Sequence, residues 1–333
     1  MKKYKWGILG TGFVARSFAD GLGVVQEAEK TAVCGTGMQK ANKFADEFGI
    51  EQRYDNFDEF LEKSGVDIVY VAVPNSLHYD FVMRALDAGK NVLCEKPMAD
   101  NAGQTKAMME KAKEKNLFLM EGLWTRCFPA TIKAREWMDE GRIGELRSVR
   151  ASFGIKAAEG WQGWKAAAEF AGGAIRDVGI YTISMAFLGF KQAPEEIVSS
   201  HYLKYGADYH SELLFKYSNN RTAYLTNSFD MVTDYNTVFY GSKGLIMLGR
   251  VWCPNYAELF TFEEGDEFTK TSVELFNDDH PSSGMQYEIR HVHECLDAGK
   301  KESFLFPLSE SLQICGLIDG LRKEWGVVYP SEA

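Results

Sequence analysis

The chain has 333 residues, enough for two domains at ~100–200 residues each. Hydrophobic residues make up 45% and the net charge is −10, the balance of a globular protein with full cores and a poor match to nucleic acid or an anionic membrane. No run of ~18 apolar residues is present, and the basic start Met1–Trp6 enters a glycine turn rather than an apolar leader, so neither a membrane span nor a signal peptide is expected.

Over the first 122 residues strand and helix signals alternate. Strands are expected at 6–9, 31–34, 67–73, 91–94 and 117–120. Helices are expected at 13–22, 41–48, 57–62, 77–86 and 102–115, with Gly49 and Gly89 as stops. Strands that are apolar on both faces and separated by helices predict a doubly wound parallel sheet covered on both sides. After residue 122 the rhythm changes. A helix near 130–140 is followed by alternating apolar and polar runs at 146–153 and 197–276. Asn219-Asn220 and Gly265-Asp266 read as hairpin turns, and helices return at 285–298 and 309–325. The prediction is α/β: a doubly wound first domain at 1–122, then an α+β domain at 123–333 with a large, mainly antiparallel open sheet. Cys34 and Cys94 read as small buried hydrophobes. The absence of C-x-x-C pairs or metal-ligand spacing among the six cysteines fits reduced thiols, a cytoplasmic setting and no metal site.

Gly10-Thr11-Gly12-Phe13-Val14-Ala15 follows the first strand and opens a helix. Glycines there allow a tight turn and close approach of a pyrophosphate to the helix N-terminus. The second strand ends in Cys34-Gly35-Thr36-Gly37, with no carboxylate to hold a ribose 2′-hydroxyl or repel a 2′-phosphate. Thr36, the Gly37 and Met38 amides and Lys40 suit a phosphate, which favours NADP over NAD. Thr36 has a structural reading too, as a helix cap. Val73-Pro74-Asn75-Ser76-Leu77-His78 follows another strand, where open α/β sheets bind ligands; Asn75 equally suits a helix cap and His78 a packing role.

Glu95-Lys96-Pro97 ends the strand at 91–94, and Gly172-Gly173-Ala174-Ile175-Arg176-Asp177-Val178-Gly179-Ile180-Tyr181 lies further on. Dehydrogenation of an alcohol needs a base for the hydroxyl proton and positive charge for the developing alkoxide. Tyr181 suits the first and Lys96 the second. Asp177, four residues before Tyr181 and on the same face of a helix, suits a substrate hydroxyl. Each alone has an ordinary reading: surface lysine, helix cap, core tyrosine. Their joint order points to hydride transfer.

With GTGFVA, AVPNSLH, CEKP and GGAIRDVGIY in sequence, the chain resembles the glucose–fructose oxidoreductase / inositol dehydrogenase / MocA family over nearly all its length. Glu121-Gly122-Leu123-Trp124-Thr125-Arg126 and tyrosine at 181 are most similar to its dimeric dihydrodiol dehydrogenase and NADP-linked xylose dehydrogenase branch. The resemblance implies a Rossmann first domain and catalytic Lys96, Asp177 and Tyr181. It also implies a cis Lys96–Pro97 bond and cofactor contacts from Glu95, Arg126, Trp164, Lys165 (where the family has arginine) and Tyr287. Trp124, Phe153, Trp252 and Phe276 suit an aromatic substrate wall, or simple packing. The implied activity is NAD(P)-dependent oxidation of a sugar or cyclic polyol, with a trans-dihydrodiol as the alternative. The implied assembly is a homodimer through the second-domain sheet. Two other readings are a non-catalytic dinucleotide-binding sensor and an enzyme that retains its nicotinamide to cleave glycosidic bonds.

Overall fold

A computed structural model describes residues 2–157, 166–262, 269–280 and 282–332. The chain forms two compact units, one of 1–124 with 280–316 and the other of 125–279 with 317–333. The chain therefore passes between units three times, where the sequence reading has a single boundary at 122/123.

The first unit runs β1 (Tyr4–Leu9), α1 (Phe13–Gly23), β2 (Ala28–Cys34), α2 (Met38–Phe48), β3 (Gln52–Tyr54), α3 (Phe57–Lys63), β4 (Ile68–Val71), α4 (His78–Asp87), β5 (Asn91–Glu95), α5 (Ala102–Glu114) and β6 (Leu119–Gly122). The six strands are parallel in the order β3-β2-β1-β4-β5-β6. All of β4 is buried, as its unbroken apolar run requires when helices cover both faces. The strand ends align: Tyr54, Cys34, Leu9, Val71, Cys94 and Glu121 are successive partners across the sheet. The turns at Gly10, Gly35, Ala72 and Glu95 thus leave along one edge, the carboxyl edge, and the strand order reverses between β1 and β4. Gly49 ends α2 in the left-handed conformation and Gly89 follows α4 likewise, as the sequence predicts. Two details differ from that reading. β3 is only three half-buried residues without an apolar run, and β6 starts two residues later than expected, at Leu119.

The second unit holds α6 (Pro129–Asp139), β7 (Leu146–Gly154), a π turn (Ile175–Gly179), α7 (Ile180–Phe190), β8 (Glu196–Lys204), β9 (Ala207–Tyr217), β10 (Arg221–Ser228), β11 (Thr237–Gly241), β12 (Gly244–Leu248), β13 (Tyr256–Phe262) and β14 (Lys270–Asn277). Its sheet has the order β14-β13-β12-β11-β7-β10-β9-β8 and is antiparallel except for β7 with β10. α7 packs on β7, β10 and β11, and is buried at ten of its eleven positions. Asn219 and Asn220 make the β9–β10 hairpin with φ of 60° and 57°, a conformation asparagine tolerates. The second expected hairpin turn, Gly265-Asp266, lies outside the described residues. α8 (Met285–Asp297) returns to the first unit and packs on α1, where Gly21 leaves no room for a Cβ against Met285. α9 (Leu308–Glu324) begins in the first unit and ends in the second.

Candidate active site

The first unit carries Gly10 to Val14, Gly35, Thr36, Val73 to Asn75, Glu95 and Lys96 at or just beyond the carboxyl ends of its strands. Gly10 has φ +115°, and a Cβ there would stand 2.2 Å from the Ala72 carbonyl oxygen, so glycine is required twice over. Gly12 differs. Its backbone is extended, at φ −78° and ψ −172°, and a Cβ would meet nothing within 4 Å. The protein's own packing does not demand glycine there. Open space lies over the first turn of α1, whose N-terminal amides and dipole favour an anion, and that space suits a pyrophosphate. Thr11 packs toward Gly35, where a Cβ would crowd Thr11 Cγ2 at 3.3 Å and the Ala41 amide at 3.2 Å. Phe13 is 83% exposed beside the turn, and Val14 is half-buried on the same helix.

Beyond β2, Lys40 Nζ donates to Thr36 Oγ1 at 3.2 Å on an exposed surface. Gly37 caps α2, again with open space where a Cβ would stand. Asp55, just after β3 in the same row, is a carboxylate that the sequence reading does not weigh. Burial and the Asp55 charge together push the Cys34 thiol up to about 12.

His78 is fully buried, its Nδ1 2.9 Å from the Pro97 carbonyl and its Nε2 2.9 Å from the Val73 carbonyl. It ties the Val73-Pro74-Asn75 loop to the loop that carries Lys96. Asn75 is buried in the 3₁₀ turn before α4. The Lys96–Pro97 bond is cis. Lys96 is half-buried at the end of β5, and its backbone N–H donates to Glu95 Oε2 at 3.2 Å. Glu95 also accepts a short hydrogen bond from the Tyr70 hydroxyl. Past the proline, buried Glu121 accepts from the Met98 amide at 2.9 Å and the Ser311 hydroxyl at 2.5 Å. The lysine's backbone is thus held on both sides by buried carboxyl groups. A third, Glu288 of α8, is fully buried, and burial followed by the Glu95 charge drives it well above the carboxylate range. Tyr287 is half-buried beside His280, ring centroids 6.4 Å apart. Trp124, also half-buried, closes the N-terminal stretch of this unit.

In the second unit, Asp177 is half-buried in the π turn and Tyr181 is 7% exposed in the first turn of α7. The Tyr181 ring stands 5.7 Å from Phe153, which stacks on Trp252 at 4.6 Å. Tyr235 completes the group, edge-on to Trp252 at 5.2 Å and to Phe153 at 6.1 Å. The Thr125 hydroxyl donates to the Trp252 carbonyl at 2.6 Å and fixes that loop. The structure therefore joins Tyr181, Phe153 and Trp252. Phe276 lies on the edge strand β14, with β13, β12 and β11 between it and β7. Tyr235 escapes sequence reading because it sits in a polar loop with φ 62°, outside any apolar period. Arg126 is buried, and its Nη1 donates to the Ser184 carbonyl of α7 at 2.7 Å, so at least part of its guanidinium braces that helix. Trp164 and Lys165 lie outside the described residues.

The arrangement supplies a phenol beside an aromatic wall in one unit, with a half-buried carboxyl four residues before it in the chain. In the other it supplies an ammonium at a strand end in line with the glycine turn that opens α1. Residues 4–123 match the oxidoreductase family with an NAD-binding Rossmann fold, and residues 131–247 match the GFO/IDH/MocA C-terminal domain. The chain is 34% identical over 335 residues to human trans-1,2-dihydrobenzene-1,2-diol dehydrogenase, with 98% of each chain covered. A crystal structure of a 3-ketoreductase from Actinomadura kijaniata with NADP and TDP-benzene superposes with a TM-score of 0.83 at 27% identity, covering 97% of this chain and 98% of that one. The aldose-aldose oxidoreductase of Caulobacter crescentus shares the fold, with a TM-score of 0.85 at 24% identity and 97% of both chains covered. Sequence and fold agree over both halves: the chain belongs to the Gfo/Idh/MocA family of NAD(P)-binding oxidoreductases.

Proposed function

We propose that the protein is an NADP-linked dehydrogenase of a cyclic substrate that carries vicinal hydroxyls, a sugar or polyol first and a trans-dihydrodiol second. The observation that carries this reading is the placement of Tyr181 against Phe153 and Trp252, with Asp177 one turn earlier. The rings offer a flat apolar wall to a ring-shaped substrate, and the two polar groups suit adjacent hydroxyls. A bound nicotinamide supplies the two-electron chemistry, taking or giving hydride. Tyr181 takes the hydroxyl proton as the carbon is oxidised to a carbonyl and returns it in the reverse direction. Lys96 stabilises the charge that develops on that oxygen, and Asp177 orients the substrate by accepting from a hydroxyl. Tyr181→Phe is expected to lower kcat roughly 10²–10⁴-fold and Lys96→Met roughly 10²–10³-fold, both with dinucleotide affinity kept. Near-wild-type turnover in either folded variant would refute the assignment. A trans-dihydrodiol as the better substrate would follow from the curated relatives, and a pyranose from the sugar-processing structural neighbours.

The preference for NADP rests on the Thr36–Lys40 pair at the end of β2. Lys40→Ala is expected to weaken NADP binding and leave NAD binding nearly unchanged, as titration calorimetry would read. The six free cysteines fit a reducing, cytoplasmic setting. Among the described residues no helix is long and apolar enough to cross a membrane. The sheet of the second unit supports a homodimer. Val198, Leu214, Tyr224, Arg150, Val238, Met247, Glu258 and Leu275 are successive partners in one row across all eight strands. None of the row is buried, and Val198, Tyr224 and Leu275 are each about half exposed, at 46%, 48% and 54%. So broad an apolar face suits a second copy of the chain.

A further inference from the structure

We propose that Asp208 is a positioning residue for the reaction, its buried carboxyl fixing the start of the π turn that carries Asp177 and leads into Tyr181. The inference rests on the roles given above to those two residues. Asp208 stands on β9 with no exposure, and its Oδ2 accepts the Ile175 N–H at 2.7 Å. Ile175 is the first residue of the π turn, where the winding leaves an amide without a helical partner. The other oxygen, Oδ1, has no hydrogen-bond partner among the described residues and fills the space a side chain at Gly173 would take; a Cβ there would stand 2.3 Å away. Gly173 itself has φ +136°. Gly173 therefore makes room for a carboxyl that arrives from β9.

The turn is also held at its other limits. The Tyr329 hydroxyl donates to the Gly172 carbonyl at 2.8 Å. At the far end Gly179 abuts Asn227, which accepts from the Thr182 hydroxyl at 2.6 Å and donates to Ser211. A π turn winds one residue more than an α turn, and a one-residue slip rotates a side chain by about 100° about the helix axis. Release of the Ile175 amide would let the turn relax toward α geometry and shift Asp177 relative to Tyr181.

A neutral cap would serve stability at less desolvation cost. The charged and titratable groups facing Asp208 are Arg176 of the turn and Arg322 of α9, the latter paired with Asp319 at 2.8 Å and Glu332 at 2.9 Å; Lys204 and Tyr209 lie nearby on β8 and β9. Burial outweighs both arginines and raises Asp208 to about 7. The ionised form grips the amide more tightly than the neutral acid.

The test compares Asp208→Asn and Asp208→Ala with Tyr181→Phe in the full-length enzyme. Asp208→Ala is expected to lower kcat by up to about a hundredfold, with the dinucleotide KM nearly unchanged. Asp208→Asn, whose amide oxygen can accept the same N–H, is expected to recover most of that loss and to lack the rise in kcat through pH ~7 expected of the wild type. A folded Asp208→Ala at wild-type kcat, or an Asp208→Asn profile that keeps the inflection, would overturn the inference. If Asp208→Ala does not fold, the Asp208→Asn profile decides alone. Turnover surviving in Tyr181→Phe would instead remove the catalytic reading itself.

Discussion

At the scale of single residues, the two glycines of the first turn do different work and give separable predictions. Gly10 is held by backbone conformation and by the Ala72 carbonyl. Gly10→Ala is expected to cost at least ~1–3 kcal/mol of strain, seen as a lowered melting temperature. Gly12 faces only open space. Gly12→Ala should melt like the wild type yet bind NADP roughly tenfold or more weakly, about 1.4 kcal/mol. Equal binding would mean that the space over α1 is not a pyrophosphate site. Both glycines were legible as a motif, but the sequence could not say which one serves the fold and which the ligand. Asp208 and Glu288 were not legible, because a lone carboxyl in an alternating strand or amphipathic helix reads as a surface charge. Only tertiary packing shows that each is buried.

At the scale of elements, the sequence locates β1, α1, β4 to β7, α3 to α6, α8 and α9 to within two residues, since the apolar runs and the glycine stops act locally, whereas β8 to β14 read largely as one alternating block at 197–276 and β3 and α7 are not predicted. It did not show that Ile175 to Gly179 winds as a π turn, because that depends on Asp208 and Asn227 arriving from β9 and β10. Nor did it show that α8 packs on α1. That contact places His293 against β1, where its Nε2 accepts the Trp6 indole N–H at 2.9 Å and its ring stacks on Tyr4 at 4.4 Å. Burial depresses His293 from 6.5 to about 4. Because the folded form binds the proton more weakly than the unfolded chain, the stability His293 contributes is complete above pH ~6.5 and is lost as pH falls toward 4. Replacement by glutamine keeps an acceptor for Trp6 but no titrating group. His293→Gln is expected to flatten the melting temperature between pH 6.5 and 4, and an unchanged acid slope would reject this origin.

At the scale of the whole molecule, the alternation of periods in the sequence correctly separates a parallel from a mainly antiparallel sheet. The membership of 280–316 in the first unit is a product of chain return that periodicity cannot carry. The open face of the second sheet makes one further prediction. Tyr224→Glu, which puts a charge in the middle of the exposed row, should convert a species of twice the 37.5 kDa chain mass to the single-chain mass in sedimentation equilibrium. A wild-type chain that sediments as a monomer would reject the dimer.

The most direct test of the whole account is the formation of reduced nicotinamide, followed by its near-ultraviolet absorbance, with NADP and then NAD against cyclic sugars, polyols and trans-dihydrodiols, for the wild type beside Tyr181→Phe. Net turnover with NADP on a substrate bearing vicinal ring hydroxyls is expected, with its near-abolition in the variant. Tight dinucleotide binding with no net reduction on any of these substrates, or equal rates in the two proteins, would contradict it.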